Sequence, residues 1–176
     1  MGMDSSAPHT VSWQDPRVWD QVVSHFQALF SAGHDFSPLL PHVGTIEQGY
    51  DGLDPAMDFL TRAVCPTCSD NCCGRAVIGY DFVDLLFHGL AHGQLPPAQI
   101  SKMDGGDGNR VCRCLGALGC TLSRSHRPFI CTWYLCAGMK SMDESGEIQG
   151  KIKAVQKARR ELENELYAVL QGKPVI

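Results

Sequence analysis

The chain has 176 residues, of which 44% are hydrophobic, and a formal net charge of −4 from 15 basic and 19 acidic side chains. This length is typical of one domain, and the apolar content is sufficient for a hydrophobic core. The negative net charge argues against a general nucleic-acid binder, which is normally strongly basic. No apolar run approaches the roughly 20 residues that are needed to cross a membrane.

The first predicted element is a helix that follows a loose tail of residues 1–14. The helix begins with Asp15 as N-cap and Pro16 at the first helical position, and Gly33 is a suitable end. Its apolar face is Trp19, Val22, Val23, Phe26, Leu29 and Phe30. The tail has neither the basic nor the apolar segment of a secretory signal, so we expect a cytoplasmic protein whose thiols stay reduced.

The next stretch, residues 34–53, is rich in Gly, Pro and His and is predicted to be a loop with short turns. Asp54 and Pro55 repeat the N-cap and first-turn signature, so a short helix is expected to start there and to lead to Cys65. Asp81 is predicted to cap a further helix, which ends near Gly93.

A long amphipathic helix is predicted from Glu147 to Gln171. Its apolar residues are Ile148, Ile152, Val155, Leu162, Leu166 and Val169, and Arg159 is the one exception in this stripe. We expect the helix to pack on the core, and a surface for a protein partner or a homodimer is the alternative. The predicted organisation is a tail (1–14), a cysteine-rich metal-binding domain (15–146) and a C-terminal helix (147–176). The predicted fold is mainly α, with irregular cysteine-rich loops around a metal centre.

All nine cysteines lie in two blocks, one between residues 65 and 75 and one between residues 111 and 136. They are Cys65, Cys68, Cys72 and Cys73 in the first block and Cys112, Cys114, Cys120, Cys131 and Cys136 in the second. Clustered thiols usually bind a metal ion or an iron–sulfur cluster, or form disulfides. A reducing compartment favours metal over disulfides.

The spacing of these cysteines favours an iron–sulfur site, or two interleaved metal sites, over one zinc ribbon. A zinc ribbon commonly has two C-x2-C pairs, whereas the second block has one C-x-C step and three isolated cysteines. Between residues 108 and 142 there is no acidic side chain, but there are five basic ones: Arg110, Arg113, Arg124, Arg127 and Lys140. They either balance an anionic metal–thiolate centre or form a solvated basic face. The rim near Arg124 and Arg127 is a candidate site for an anionic substrate.

The cysteine pattern resembles the YkgJ-type CxxCxxCC family of zinc- or iron-chelating proteins. The resemblance spans roughly residues 65–136 and rests on Cys65, Cys68, Cys72, Cys73, Cys112, Leu115, Cys120, Arg127, Pro128, Cys131 and Cys136. It implies metal binding by these eight cysteines and assigns no reaction. The extra thiol of Cys114 and a C-x3-C-C step depart from the pattern, which leaves open whether Cys112 or Cys114 is a ligand. A related arrangement in flagellin lysine methylases is linked to an iron–sulfur cluster and hints at protein modification.

Several polar and aromatic residues are further candidates. Asp84, His88 and His92 share one stripe of the helix that Asp81 caps. The preferred interpretation is a polar face with surface histidines, and the alternative is a carboxylate–histidine metal or proton-relay site. His126 is a candidate mixed ligand or donor to sulfur. Trp133 and Tyr134 are expected to shield a cluster from water.

The sequence thus predicts a cytoplasmic metalloprotein that binds one [4Fe-4S] cluster, or two, through clustered cysteines. It would act in electron transfer or in a protein or small-molecule modification pathway. A structural zinc-binding interaction module and a thiol-based metal chaperone are the alternatives. The two blocks are expected to share a metal site whose ligation orders the loops at 65–75 and 108–138. No catalytic residue can be named, and whether the protein is an enzyme stays open.

Overall fold

The computed structural model describes residues 15–68, 78–100, 102–104, 110–117 and 119–171. Helices dominate these residues, so the prediction of a mainly α fold is confirmed. The helices are α1 (Trp19–Ser31), α2 (Leu40–Val64), α3 (Phe82–His92), α4 (Ile130–Trp133), α5 (Ala137–Met142) and α6 (Glu147–Leu170). The predicted tail at 1–14 and most of the predicted loop at 65–75 lie outside the described residues. No helix in the described ranges is long and apolar enough to span a membrane.

Two short antiparallel strand pairs lie between α3 and α4. The strand β1 (Lys102–Asp104) pairs with β2 (Arg110–Cys112), and β3 (Leu115–Gly116) pairs with β4 (Gly119–Cys120). Each strand has only two or three residues, which explains why no alternation of polar and apolar residues was visible in the sequence.

The start of the first helix follows its capping signals. The carboxylate of Asp15 accepts a hydrogen bond from the backbone N–H of Arg17 at 2.9 Å and so caps a 3-10 turn at Pro16–Val18. This turn leads directly into α1, which ends at Ser31 just before Gly33. The buried side chains of α1 are Val22 and Phe26, both from the predicted apolar face.

The prediction of a loop over residues 34–53 is wrong, because α2 begins at Leu40 and continues to Val64 with Pro55 inside it. Its buried residues recur at steps of three and four: Val43, Ile46, Tyr50, Leu53, Met57 and Leu60. Burial of this stripe outweighs the low helix propensity of the glycines at 44, 49 and 52. Pro55 removes one backbone donor without ending the helix, and Asp54 forms an ion pair with Arg124 instead of a cap.

The C-terminal helix α6 packs along α2, as expected for a helix that completes the core. The helices α2 and α6 approach each other closely at Gly49, where an added Cβ atom would lie 2.5 Å from Cγ2 of Val155. The buried residues of α6 include Ile148, Ile152, Val155, Leu162 and Leu166. The apolar stripe of α6 therefore packs on the core, and a protein partner or a homodimer through this helix stays a prediction.

The helix α3 has the two ends that its sequence predicts. Asp81 and Asp84 form a capping box, in which each side chain accepts a hydrogen bond from the backbone N–H of the other residue. Gly93 follows the helix with φ of +67°, a left-handed conformation that favours glycine. The first seven residues of α3, 82–88, are all buried, so this helix lies inside the molecule.

Candidate functional site

Thiols from both cysteine blocks line one cavity of about 100 Å³. They belong to Cys65 in the first block and to Cys112, Cys114, Cys120 and Cys131 in the second. The other wall residues are mostly apolar, namely Met57, Thr61, Ile78, Leu115, Gly119, Arg127, Ile130, Tyr134 and Met139. The two blocks therefore meet in space, as a shared site requires.

The first block reaches the cavity through α2. This helix delivers the chain to a 3-10 turn at Cys65–Thr67, in which Pro66 prevents the α-helix from continuing. The backbone N–H of Cys68 closes the turn on the carbonyl oxygen of Cys65 at 3.3 Å. The core stripe of α2 therefore determines where the thiol of Cys65 lies.

The second block reaches the cavity through its short strands and α4. In the β3–β4 pair Leu115 lies opposite Cys120, and the backbone N–H of Thr121 donates to the carbonyl oxygen of Cys114 at 2.8 Å. This closure brings the segments of Cys114 and Cys120 together. Cys131 lies in the first turn of α4, where its backbone N–H donates to the carbonyl oxygen of Pro128 at 2.9 Å.

The remaining predicted ligands are placed differently. Cys68 and Cys136 are partly buried but are not among the cavity-lining residues, and Cys72 and Cys73 lie outside the described residues. Both Cys112 and Cys114 line the cavity, so the choice between them stays open. Six of the described cysteines are free thiols: Cys68, Cys112, Cys114, Cys120, Cys131 and Cys136.

The surroundings of Cys131 and Cys114 oppose the ionisation of these two thiols. Burial raises the pKa of Cys131 to about 12, and negative charge on Cys120 and Cys112 acts in the same direction. Burial also raises the pKa of Cys114, again with contributions from Cys112 and Cys120. Several thiolates can therefore coexist here only with a compensating positive charge, which a metal ion or a cationic cluster core provides.

The two arginines proposed to receive an anionic substrate have different positions. The side chain of Arg124 is fully buried, and its Nε atom donates to Oδ1 of Asp54 at 2.7 Å, with Asp58 at 3.4 Å from Nη2. The prediction that Arg124 lies on an accessible rim is therefore wrong, because its side chain is buried and pairs with the carboxylates of Asp54 and Asp58. Arg127 does line the cavity, and its Nε atom donates to the carbonyl oxygen of Leu122 at 2.8 Å.

The preferred interpretation of Asp84 and His88 as part of a polar surface is wrong, because each residue is only 3% exposed. Asp84 is also unavailable as a metal ligand. Its Oδ1 atom accepts hydrogen bonds from Nη1 of Arg159 at 2.6 Å and from the backbone N–H of Phe129 at 3.0 Å. Burial raises the pKa of Asp84 to about 6, whereas the charge of Arg159 lowers it. The ion pair with Arg159 therefore offsets part of the effect of burial on this carboxyl group.

Sequence reasoning did not anticipate that His126 joins the two helix histidines. Its ring centroid lies 4.4 Å from that of His92 and 5.6 Å from that of His88. Tyr80 contacts this histidine group, since its hydroxyl donates to the carbonyl oxygen of His126 at 2.8 Å. The pKa of Tyr80 is raised by burial and by negative charge on Cys114. No local pattern could have found this group, because His126 lies 34 positions beyond His92 in the chain.

Two exposed aromatic residues flank the end of α4. Trp133 is 48% exposed and Tyr134 is 46% exposed. Only Tyr134 lines the cysteine cavity, whereas Trp133 contributes to a separate groove between α4 and α6. The expected shielding from water can therefore apply to Tyr134 but not to Trp133.

Within the described ranges, no group of three or more His, Cys, Asp or Glu side chains is arranged to hold a metal ion. No family model, curated protein or solved structure matches this chain. The fold and the site define a small, mainly α-helical protein with a cavity lined by five cysteines. The resemblance to the YkgJ-type family therefore rests on the sequence motif alone, that is, on the cysteine pattern with Leu115, Arg127 and Pro128.

Proposed function

We propose that the protein is a cytoplasmic metalloprotein that binds an iron–sulfur cluster, of the [4Fe-4S] type, in the cysteine-lined cavity. The observation that carries this proposal is the convergence of five thiols, from two blocks far apart in the sequence, on one cavity. Thiolates are soft ligands that suit iron–sulfur clusters and zinc and suit magnesium or calcium poorly.

The cavity is compatible with a cluster in its size and in its number of thiols. A volume of about 100 Å³ has room for several atoms of the size of water. A tetrahedral zinc ion enclosed by four thiolates would draw its ligands around one point. The cavity walls supply five thiols, which exceeds the four that either centre needs. Because one thiol is in excess, Cys112 and Cys114 are alternative ligands.

The other wall residues would adapt the cavity to such a centre. Apolar side chains, among them Met57, Ile78 and Met139, would exclude water from it. Arg127 would balance part of the negative charge of the thiolates, since its guanidinium group favours their ionised form. A bound cluster would supply one-electron redox chemistry. That chemistry fits a role in electron transfer or in a modification pathway.

Elemental analysis of anaerobically purified protein tests the proposal. We expect a brown protein that contains iron and acid-labile sulfide and that loses its visible absorption on exposure to a strong chelator and oxidant. A colourless protein with stoichiometric zinc and no sulfide would support the structural zinc alternative instead. A folded protein with neither metal would overturn both proposals for the cavity.

A further inference from the structure

Three histidines that the proposed cysteine centre does not use have their rings together at the C-terminal half of α3. The ring centroids of His88 and His92 are 5.2 Å apart. The ring centroid of His126 lies 5.6 Å from that of His88 and 4.4 Å from that of His92. We propose that His88, His92 and His126 form a site for a divalent transition-metal ion, separate from the cysteine cavity. This inference does not rest on the proposed iron–sulfur function.

The nitrogen atoms of the two helix histidines point to a ligand. The Nε2 atoms of His88 and His92 are both buried and have no hydrogen-bond partner, and His88 is only 3% exposed. Buried polar groups in folded proteins are nearly always hydrogen-bonded. Two unpartnered imidazole nitrogens, one helical turn apart, therefore need an explanation that the described side chains do not supply.

The spacing and the protonation state of these histidines suit a transition metal. Two histidines at positions i and i+4 of a helix are a recurrent chelating pair for zinc. Burial lowers the pKa of His88 to about 4, so its imidazole is neutral at pH 7, which is the form that binds metals. Partial desolvation and the charge of His92 also lower the pKa of His126. A set of nitrogen donors suits Zn²⁺, Co²⁺, Ni²⁺ or Cu²⁺ and does not suit Mg²⁺ or Ca²⁺.

His126 is placed to act as the third ligand. Its Nδ1 atom is hydrogen-bonded to the hydroxyl of Ser123 at 2.8 Å, which leaves Nε2 available for a metal. Metal-ligating histidines commonly donate their second ring N–H to an outer partner of this kind. His126 is exposed and ends a single 3-10 turn at Arg124–His126, so an ion from solvent can reach it.

The site requires one rearrangement. The rings of His92 and His126 are stacked with an interplanar angle of 10°. The three nitrogens are therefore not yet set around one point, in agreement with the lack of a preformed three-ligand group among the described residues. Rotation of the exposed His126 side chain would complete the site without movement of the buried helix α3.

Titration of the anaerobically purified protein with Co²⁺ tests the inference. We expect one Co²⁺ ion per chain to bind with d–d absorption and without a thiolate-to-cobalt charge-transfer band. His92→Gln and His126→Gln should each weaken this binding on the order of tenfold or more, judged by the cost of lost metal-site partners. His34→Gln is the matched control, because His34 is exposed and lies outside the histidine group.

The cobalt spectra of these variants distinguish binding at the histidine site from binding in the cysteine cavity. His126→Gln changes an exposed position, so it keeps the test valid if His92→Gln fails to fold, which circular dichroism would reveal. A cobalt signal with a thiolate band that persists in both variants would report the cysteine cavity and would overturn the histidine site. Failure of the holoprotein to bind Co²⁺ would also overturn it, whatever metal the cysteines contain.

Discussion

Arg159 and Asp84 form a buried ion pair, with Nη1 of the arginine 2.6 Å from Oδ1 of the aspartate. The two side chains are 5% and 3% exposed. The guanidinium group also lies over the ring of Phe129, 4.4 Å from its centroid, and the same aspartate oxygen accepts the backbone N–H of Phe129. The pair therefore joins α3 and α6 to the residue that precedes the helix carrying Cys131.

Replacement of Arg159 by Leu should destabilise the fold by about 3–5 kcal/mol, because it leaves the carboxylate of Asp84 buried without its partner. The measurement is the midpoint of chemical denaturation. The control is Lys157→Ala, which removes an exposed ion pair with Glu161 at 3.3 Å and should cost no more than about 1 kcal/mol. Equal losses of stability in the two variants would show that the buried Arg159–Asp84 pair contributes no more to stability than an exposed ion pair.

Replacement of Cys131 by Ser should lower the metal content of the purified protein even though every cysteine of the first block is intact. The reason is that Cys131 lines the same cavity as Cys65, so the two blocks would share one centre. Cys136→Ser is the matched control, since Cys136 is not among the cavity-lining residues, and we expect a smaller loss. Metal content unchanged by Cys131→Ser would contradict a shared centre.

Removal of the metal should increase proteolysis between residues 65 and 138 and leave α1 and the core-packed part of α6 protected. Apart from the buried helix α3, the described part of this region has only short strands, turns and short helical segments. Ligation would therefore supply much of the free energy that orders it; for structural zinc this is roughly 10–16 kcal/mol. The fragments are mapped by mass after limited digestion of apo and holo protein. Equal cleavage rates in this region would show that the metal does not stabilise it.

Replacement of Gly49 by Ala should destabilise the protein by about 1–3 kcal/mol, because the new methyl group would overlap the side chain of Val155 and force α2 and α6 apart. Gly52→Ala is the control. A Cβ atom at that position meets nothing within 4 Å, so the change should stabilise α2 by about 0.5–1 kcal/mol. Thermal unfolding of both variants checks the opposite signs, and a stabilised Gly49→Ala protein would refute the close approach.

The sequence by itself determined the elements whose signals are local. Asp15, Asp81 and Gly93 mark helix ends through hydrogen bonds and backbone conformations that involve only a few neighbouring residues. The periodic apolar stripe of α6 likewise predicted both its length and its buried face. The grouping of all cysteines into two blocks was also readable without a structure, and it predicts a metal site.

Only the tertiary structure decided the relationships between distant segments. The helix α2 forms through residues 40–53 because its stripe is buried against α6, and this gain outweighs local signals for a loop. Arg159 interrupts an apolar stripe because Asp84, 75 positions earlier, neutralises it in the interior. The meeting of the cysteine blocks, and of His126 with α3, likewise depends on chain packing. Burial and charge pairing act across space, so no pattern of neighbouring residues could specify them.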